Sequence, residues 1–333
     1  MRMVLTRGAM PLMFVALCPI PFVLDAYLQY IVNLMLVYLI IAIGLNFALG
    51  YAGMFAFAHA AFMGIGAYTS ALFSAKLGFH FAFALLAAGI VSGAVGCIVG
   101  IPAIRVSGLY LAMVTLAFAE LVQWVLKHWK SVTGGADGLS IPAPTLLGWQ
   151  LRSDAASFYI IILIAFLMTL SARRILQSKI GRAFVAVRDS EIAARCNGID
   201  VARVKTIAFG LSAFYAGIGG ALFALTQHYI APESFGLFQT ILHFCIVIVG
   251  GAASIAGSVI GAVLLTALPE LLRNVQALQE IGYGILLIVF VILAPRGVAG
   301  WLRDRRWLSR EPFTPYRPEE KMIQGKAGGR LPD

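Results

Sequence analysis

The stretch FAFALLAAGIVSGAVGCIVGI, residues 81–101, holds 21 apolar or small residues in a row and no charged side chain. Because an α-helix rises about 1.5 Å per residue, roughly 20 such residues cross the ~30 Å hydrocarbon core of a bilayer. The whole chain has the same character, since 60% of its 333 residues are apolar and 12% are charged. A soluble domain carries roughly 25% charged residues. The sequence therefore predicts a membrane protein built from α-helices.

Apolar runs of this kind recur along the chain, and they predict an all-α, polytopic transmembrane bundle. We expect about ten spans, and between eight and ten if the shortest runs do not cross the membrane. The first run follows two arginines, as in a signal peptide, but no small-residue cleavage site follows it, so we interpret it as a retained helix. The spans are expected near residues 9–24, 31–49, 52–74, 81–101, 108–126, 157–172, 206–228, 238–253, 257–272 and 281–295.

The most basic stretch between spans is residues 173–205, named the polar loop below. It carries eight Lys or Arg against three acidic residues, and the chain from Arg296 onwards carries nine against five. Basic segments beside spans favour the cytoplasmic side. Six spans precede the polar loop and four follow it, so both termini are expected in the cytoplasm. The long loop 127–156, with three Lys or Arg against two acids, is then external.

The chain is expected to divide into three parts. Residues 1–30 contain the first helix, residues 31–300 form the transmembrane domain with the polar loop inside it, and residues 301–333 form a polar cytoplasmic tail. The chain is basic, with a formal charge of +10. Its Lys and Arg residues lie in the gaps between apolar runs, which favours a lipid bilayer over nucleic acid as the partner.

The sequence lacks the motifs for ATP binding and for metal-dependent catalysis. A phosphate-binding loop needs the pattern G-x-x-x-x-G-K-[ST], and the single Gly-Lys pair, Gly325-Lys326, is followed by Ala327. The five histidines show no zinc-protease spacing, and the four cysteines form no C-x-x-C pair. We therefore expect no enzyme activity, metal or cofactor on this chain, and any ATP-driven step must use ATP and magnesium on another subunit.

A few polar side chains fall inside predicted spans, where they are costly. Glu120 lies in the second half of the fifth span, where it either reaches the outer interface or serves as a proton relay. His59, Tyr68 and Thr115 lie in otherwise apolar stretches. Each histidine of this kind more often makes an interhelical hydrogen bond than binds a ligand. These four residues are our candidates for a translocation path.

The polar loop is amphipathic, and its pattern predicts two short helices over residues 182–187 and 190–196. Phe184, Val187, Ile192 and Ala193 are the apolar residues that these helices could present to a partner protein. Gly198 is expected to end the second helix as a C-terminal cap. A solvated connector is the alternative interpretation of this loop.

The polar loop resembles the coupling loop of permeases in ABC importers. Its E-x-A-A-x-x-x-G pattern is met by Glu191, Ala193, Ala194 and Gly198, with Ile192 where the general pattern has a further alanine. Other stretches resemble branched-chain amino-acid permeases of the LivH/LivM type, and the LivM branch in particular. They are GLNFALGYAGMFAFAHAAFMGIGAYTSAL (44–72), SGLYLAMVTLAFAELVQ (107–123), TGGADGL (133–139), SKIGRAFVAVRDSEIAARCNGI (178–199), GGAASIAGSVIGA (250–262) and APRGVAG (294–300).

This resemblance covers most of residues 31–300 and implies a subunit of a bacterial inner-membrane importer. The expected partners are a second, LivH-like permease, two ATP-binding subunits and a periplasmic substrate-binding protein. The resemblance implies that Glu191, Ala193, Ala194, Gly198 and Arg188 couple the chain to an ATP-binding subunit. The substrate would be a branched-chain or other hydrophobic amino acid, with urea or a short amide as alternatives. A proton-coupled transporter that uses Glu120 is the alternative from another class.

Overall fold

The computed structural model describes residues 14, 17, 19, 21, 25–76, 78–106, 108–141, 145–146, 149–150, 154–271 and 297–304. Within them the fold is a bundle of α-helices. The helices longer than one turn are α1 Ala26–Asn46, α2 His59–Ala71, α3 Phe81–Arg105, α4 Leu109–His128, α5 Asp154–Gln177, α6 Lys179–Asp189, α7 Glu191–Cys196, α8 Val201–Gln227, α9 Leu237–Gly250, α10 Ile255–Leu271 and α11 Gly297–Asp304.

Six of the described helices are long and apolar enough to cross a membrane, and a shorter apolar helix follows them at Ile255–Leu268. This confirms a multi-span helical protein. The total of ten spans and the side on which the termini lie stay predictions. The predicted span 281–295 and all but four single residues of the predicted span 9–24 lie outside the described residues, as does the tail beyond residue 304.

One predicted span is interrupted. The run 52–74 was expected to be a single helix, but residues 52–58 are not helical and α2 begins only at His59. Before this break, α1 widens into a π-helical turn at Phe47–Tyr51. Hydropathy alone does not detect such a break, because the seven residues are as apolar as a helix would be. Non-helical backbone at membrane depth is tolerated where protein surrounds it.

The helix α8 lies at the centre of the bundle, against α1, α2 and α3. Small residues permit this packing, because lipid removes the hydrophobic driving force between helices and leaves close contact as the main source of stability. A Cβ atom added to Gly96 of α3 would lie 2.3 Å from the Cβ of Ala213, and one added to Gly66 of α2 would lie 2.4 Å from the Cα of Gly217. Gly89, Gly93 and Gly100 of α3 likewise lie against residues of α8.

Short strands are found at one end of the bundle. The strand β1 (Leu139–Ser140) pairs antiparallel with β4 (Tyr229–Ile230), and β2 (Thr145–Leu146) pairs with β3 (Trp149–Gln150). The first pair fastens the loop after α4 to the end of α8. The all-α expectation is therefore right for the spans and incomplete for this loop.

Candidate functional site

The polar loop folds into the two helices α6 and α7, and a serine caps the start of each. The Ser178 hydroxyl accepts a hydrogen bond from the backbone N–H of Ile180 at 3.1 Å, and the Ser190 hydroxyl accepts one from Ala193 at 3.2 Å. Such caps satisfy amides that the first helical turn leaves unpaired. Two short helices therefore persist in a loop that is only half apolar.

Gly198 ends α7 in the left-handed conformation, with φ of +76°. Its N–H donates to the carbonyl of Arg195, and the N–H of Ile199 donates to the carbonyl of Ala194, both at 3.0 Å. This pair of bonds is the Schellman motif, which favours glycine because a side chain strains the left-handed conformation. The predicted C-terminal cap is confirmed.

An ion pair holds α7 to the start of α8. The ammonium of Lys205 lies 2.7 Å from Glu191 Oε1, and the guanidinium of Arg195 lies 3.9 Å from Glu191 Oε2. The Lys205 side chain is 4% exposed, whereas that of Glu191 is 38% exposed. The motif glutamate therefore has an internal structural role, because it neutralises a buried lysine and fixes the orientation of α7.

The same orientation decides which apolar residues of the loop are accessible. Ile192 is 78% exposed and Ala193 is also exposed, whereas Ala194 is buried. The prediction that Phe184 and Val187 face a partner is wrong, because both are buried. They lie on the apolar side of α6, which packs against the bundle. The ring of Phe184 contacts that of Phe47 edge-on, with 6.3 Å between the ring centroids.

A groove of about 390 Å³ opens beside α7. Its lining includes the apolar residues Ile104, Ile199 and Val201 and the charged residues Arg195 and Asp200. The exposed Ile192 lies on the same short helix as Arg195, three residues before this lining residue of the groove. Such a surface can receive a partner protein with charged residues at the rim.

Arg188 points inward, away from this surface. Its side chain is 14% exposed, and Nη1 donates a hydrogen bond of 3.0 Å to the carbonyl oxygen of Gly50. Gly50 lies in the π-helical turn that ends α1, immediately before the break. The loop is thereby connected to the point at which the helical backbone stops.

The buried side-chain amide of Asn46 holds the end of α1 against the turn between α9 and α10. The Asn46 side chain donates to the carbonyl of Ser254 at 3.0 Å and to the hydroxyl of Ser258 at 2.9 Å, and it accepts from the N–H of Ala253 at 2.8 Å. The Asn46 side chain thereby satisfies two backbone groups of the turn between α9 and α10. A Cβ atom on Gly50 would lie 2.4 Å from the N atom of Ala253, so only glycine fits this approach.

At the other end of the break, two buried histidines meet. The rings of His59 and His243 lie 6.5 Å apart between centroids, and each has one ring nitrogen without a partner among the described residues. The amide nitrogen of Gln239 lies 3.2 Å from Nε2 of His243 and donates to the hydroxyl of Tyr38 at 3.0 Å. We name His59, His243, Gln239 and Tyr38 the histidine cluster.

The remaining candidates for the path lie apart from one another. The Thr115 hydroxyl accepts a hydrogen bond of 2.9 Å from the N–H of Phe57, so it anchors the non-helical stretch to α4. The Tyr68 hydroxyl is buried on α2 without a partner among the described residues. Glu120 is exposed on the outside of α4, where it makes no ion pair or hydrogen bond with a described residue.

Several residues of the site were not selected from the sequence. Lys205, Asn46 and Gln239 act only through contacts with residues far along the chain, which no local pattern reveals. Gln239 and His243 do share a face of α9, because they are four residues apart. A polar pair at that spacing within an apolar helix is a signal that could have identified them.

Comparison with known proteins gives one family. The family model described as "Branched-chain amino acid transport system / permease component" matches residues 27–294. The high-affinity branched-chain amino acid transport system permease protein LivM of Salmonella typhimurium is 34% identical, over 93% of this chain and 75% of its own length. The LivM protein of Escherichia coli is 33% identical over the same shares.

More distant relatives lie in two neighbouring groups. The permease protein LivH of the same Salmonella transport system is 27% identical over 79% of this chain and 91% of its own length. The autoinducer 2 import system permease protein LsrC of Shigella flexneri is 30% identical over 56% of this chain and 53% of its own length. No solved structure matches the chain.

Proposed function

Since this chain belongs to the family of permease components of branched-chain amino-acid transport systems, we propose that it is a membrane-spanning subunit of an ABC importer. It carries a branched-chain or other hydrophobic amino acid across the bacterial inner membrane. A periplasmic binding protein delivers the substrate, a second, LivH-like permease completes the pore, and two ATP-binding subunits with bound ATP and magnesium supply the energy. The geometry of the polar loop is the observation that supports this proposal most strongly.

The polar loop, on the cytoplasmic side in this proposal, is the docking element. Ile192 on α7 is exposed to solvent, and the groove beside this helix, with both apolar and charged lining residues, is of a size that suits a few side chains of a partner. In this proposal Ile192 and the apolar residues of the groove form the centre of a protein contact, and Arg195 and Asp200 form its charged rim. The ion pair between Glu191 and Lys205 keeps α7 fixed, so a force on Ile192 moves the helix as a unit.

The motion reaches the membrane through α6. Phe184 is buried against the π-helical turn of α1, and Arg188 holds the Gly50 carbonyl. A displacement of α6 therefore displaces the start of residues 52–58. The far end of this stretch is His59, at the histidine cluster. We propose that closure of the ATP-binding subunits is transmitted along this route.

The histidine cluster is the part of the described bundle best suited to line the path. Each of its two buried imidazoles has a ring nitrogen with no partner among the residues that the structure describes. They lie beside the first turn of α2, whose backbone N–H groups have no partner within the helix. Helices that break inside a membrane commonly place such turns at a transport site. The hydroxyl of Tyr68, on the same helix, likewise has no hydrogen-bond partner within the described part of the chain.

A proton-coupled transporter, the alternative from another class, is less well supported by the geometry. A relay through Glu120 needs a chain of hydrogen-bonded groups that leads across the bundle. Glu120 lies on the outer side of α4 and has no hydrogen-bonded neighbour among the described residues. Urea or a short amide stays an alternative substrate, since relatives of the family differ in what their names say they import.

Transport in proteoliposomes tests the proposal. The chain is reconstituted with its second permease and ATP-binding subunits, and uptake of labelled leucine delivered by the binding protein is followed with ATP inside the vesicles. We expect uptake that requires ATP and survives a proton ionophore. The variant Ile192→Glu should lose both uptake and retention of the ATP-binding subunit.

The matched control is Ile180→Glu, which changes an exposed isoleucine of the same loop outside α7 and its groove. It should retain both properties. Uptake that persists without ATP and stops with the ionophore would show a secondary transporter. Full retention of the ATP-binding subunit by Ile192→Glu would remove the assigned docking element.

A further inference from the structure

The outer face of α4 combines apolar side chains with one acid. Tyr110, Met113, Ala117, Glu120, Leu121 and Trp124 are all exposed and fall within a stripe of about 100° at 100° per residue. The opposite side of α4 is buried against the bundle. No other helix among the described residues covers the stripe. We name these six residues the α4 face.

Glu120 is deep within its helix. It lies eleven positions after Leu109 and eight before His128, or about 16 Å and 12 Å along the helix at 1.5 Å per residue. Lys127 and His128 are exposed at the nearer end of the helix. Glu120 is the single acidic residue of the described spans that lies more than two turns from both ends.

The direction of the Glu120 side chain makes it unfavourable for the carboxyl group to reach water at the membrane boundary. Side chains on an α-helix lean toward its N-terminus. For α4 that direction leads from Glu120 toward Leu109, the more distant end, and away from His128. Snorkelling to the nearer boundary would therefore oppose the natural lean of a short side chain. This argument holds whichever side of the membrane the end of α4 occupies.

Lipid is a poor neighbour for such a group. An acidic residue near the middle of a bilayer costs about 2.5–3.5 kcal/mol even on insertion scales, and charged residues in spans almost always face protein or water. The outer faces of α3 and α5 are apolar by comparison, with Ile90, Ile98, Leu163 and Leu167 exposed. Those two faces suit lipid, whereas the α4 face needs a hydrogen-bond donor.

We propose that the α4 face is the contact surface for the second permease chain, and that Glu120 accepts a hydrogen bond from a donor side chain of that partner. This assignment rests on the proposed function, in which two permeases form the pore. The transport system of the Salmonella relatives likewise has two proteins named as permeases. The small Ala117 in the middle of the stripe would let a helix of the partner approach α4 closely.

Site-specific photocrosslinking in the full importer tests the surface. The photoreactive amino acid benzoylphenylalanine replaces Met113, 58% exposed on the α4 face, and in a second preparation it replaces Leu163, 57% exposed on the outer face of α5. We expect a covalent product with the second permease from position 113 and none from position 163. The affinity tag is placed on this chain, so co-purification of the second permease is measured in the same sample.

The outcomes separate the surface from the proposed function. If the second permease co-purifies but position 113 yields no product with it, or a product within this chain at residues 272–296, the α4 face is not the contact. If the second permease does not co-purify with the unmodified chain, the pairing in the proposed function fails, and this assignment fails with it.

Substitution of Glu120 gives a test in which the two environments predict opposite signs. If the α4 face meets lipid, Glu120→Leu removes a carboxyl group from contact with lipid. It should then raise the melting temperature and leave co-purification of the second permease unchanged. If it meets the second permease, Glu120→Leu leaves a partner donor unpaired and should lower co-purification at least threefold, while Glu120→Gln, which keeps an acceptor, retains most of it. The first result would overturn the proposal.

Discussion

The guanidinium of Arg188 in α6 donates from Nη1 to the carbonyl oxygen of Gly50, 3.0 Å away and 138 residues earlier in the chain. The stem of the Arg188 side chain also packs closely against Gly53, where an added Cβ atom would lie 2.7 Å from Cγ of Arg188. The loop and the end of α1 therefore meet at one charged hydrogen bond, which makes their connection open to direct tests.

Removal of this bond should separate docking from transport. In Arg188→Met the apolar stem remains, but the Gly50 carbonyl loses a charge-assisted hydrogen bond of roughly 1.5–3 kcal/mol. We expect ATP-driven uptake to fall about tenfold while the ATP-binding subunit co-purifies as before. Arg195→Met, at an exposed arginine that lines the groove, should instead lower co-purification of the ATP-binding subunit, and uptake should fall with it. Normal uptake by Arg188→Met would contradict the assigned route.

The ion pair of α7 should respond unequally to loss of its two members. Glu191→Ala leaves the buried ammonium of Lys205 unpaired, with Arg195 beside it, and we expect a cost of about 3 kcal/mol, at the low end for a broken buried pair. Lys205→Ala leaves a carboxylate that water reaches, so the cost should be about 1 kcal/mol. Thermal unfolding of the purified complex measures both. A larger loss for Lys205→Ala would show that the pair is not asymmetric in this way.

The cap at Gly198 allows a test of conformation alone. A Cβ atom at this position would meet no other atom within 4 Å, so only the positive φ resists a side chain. Gly198→Val should lower stability by about 1–2 kcal/mol, the usual cost of a left-handed residue. Gly198→Asn should cost less, because asparagine tolerates this region. Retention of the ATP-binding subunit should follow the same order, and equal effects of the two variants would exclude this explanation.

Replacement of the free imidazoles should affect transport more than assembly. His59→Phe keeps a ring of similar volume but removes both ring nitrogens, one of which bonds the backbone of Ile41, so we expect uptake to fall and the melting temperature to drop slightly while the subunit composition stays that of the original chain. His80→Phe, at an exposed histidine before α3, serves as the control and should leave uptake unchanged. Unchanged uptake in His59→Phe and in His243→Phe would remove the histidine cluster from the path.

The helices of the bundle could be predicted from the sequence because each needs only a local run of apolar residues. Every predicted span between residues 31 and 272 coincides with a helix, apart from the break at residues 52–58. The cap at Gly198 was also predictable, since it depends on a single glycine after a short amphipathic helix. These features are determined by neighbours in the chain.

The break and the inward face of α6 were not predictable, because both depend on distant partners. Residues 52–58 leave the helix where Thr115, Asn46 and Arg188 supply hydrogen bonds nearby. Phe184 was expected to face another protein, but Phe47 of the same chain already covers it. A local pattern shows that a residue is apolar, and it does not show which protein buries it.

The break also lowers the energy that a rearrangement requires. Among residues 52–58, the amides that donate to described residues belong to Ala52, Met54 and Phe57. A kink in a continuous helix would sever up to four backbone hydrogen bonds, each worth about 0.5–1.5 kcal/mol net. This stretch has fewer to lose. In the proposed transport cycle, a rearrangement at residues 52–58 would therefore cost less backbone hydrogen bonding than a new kink in a continuous helix.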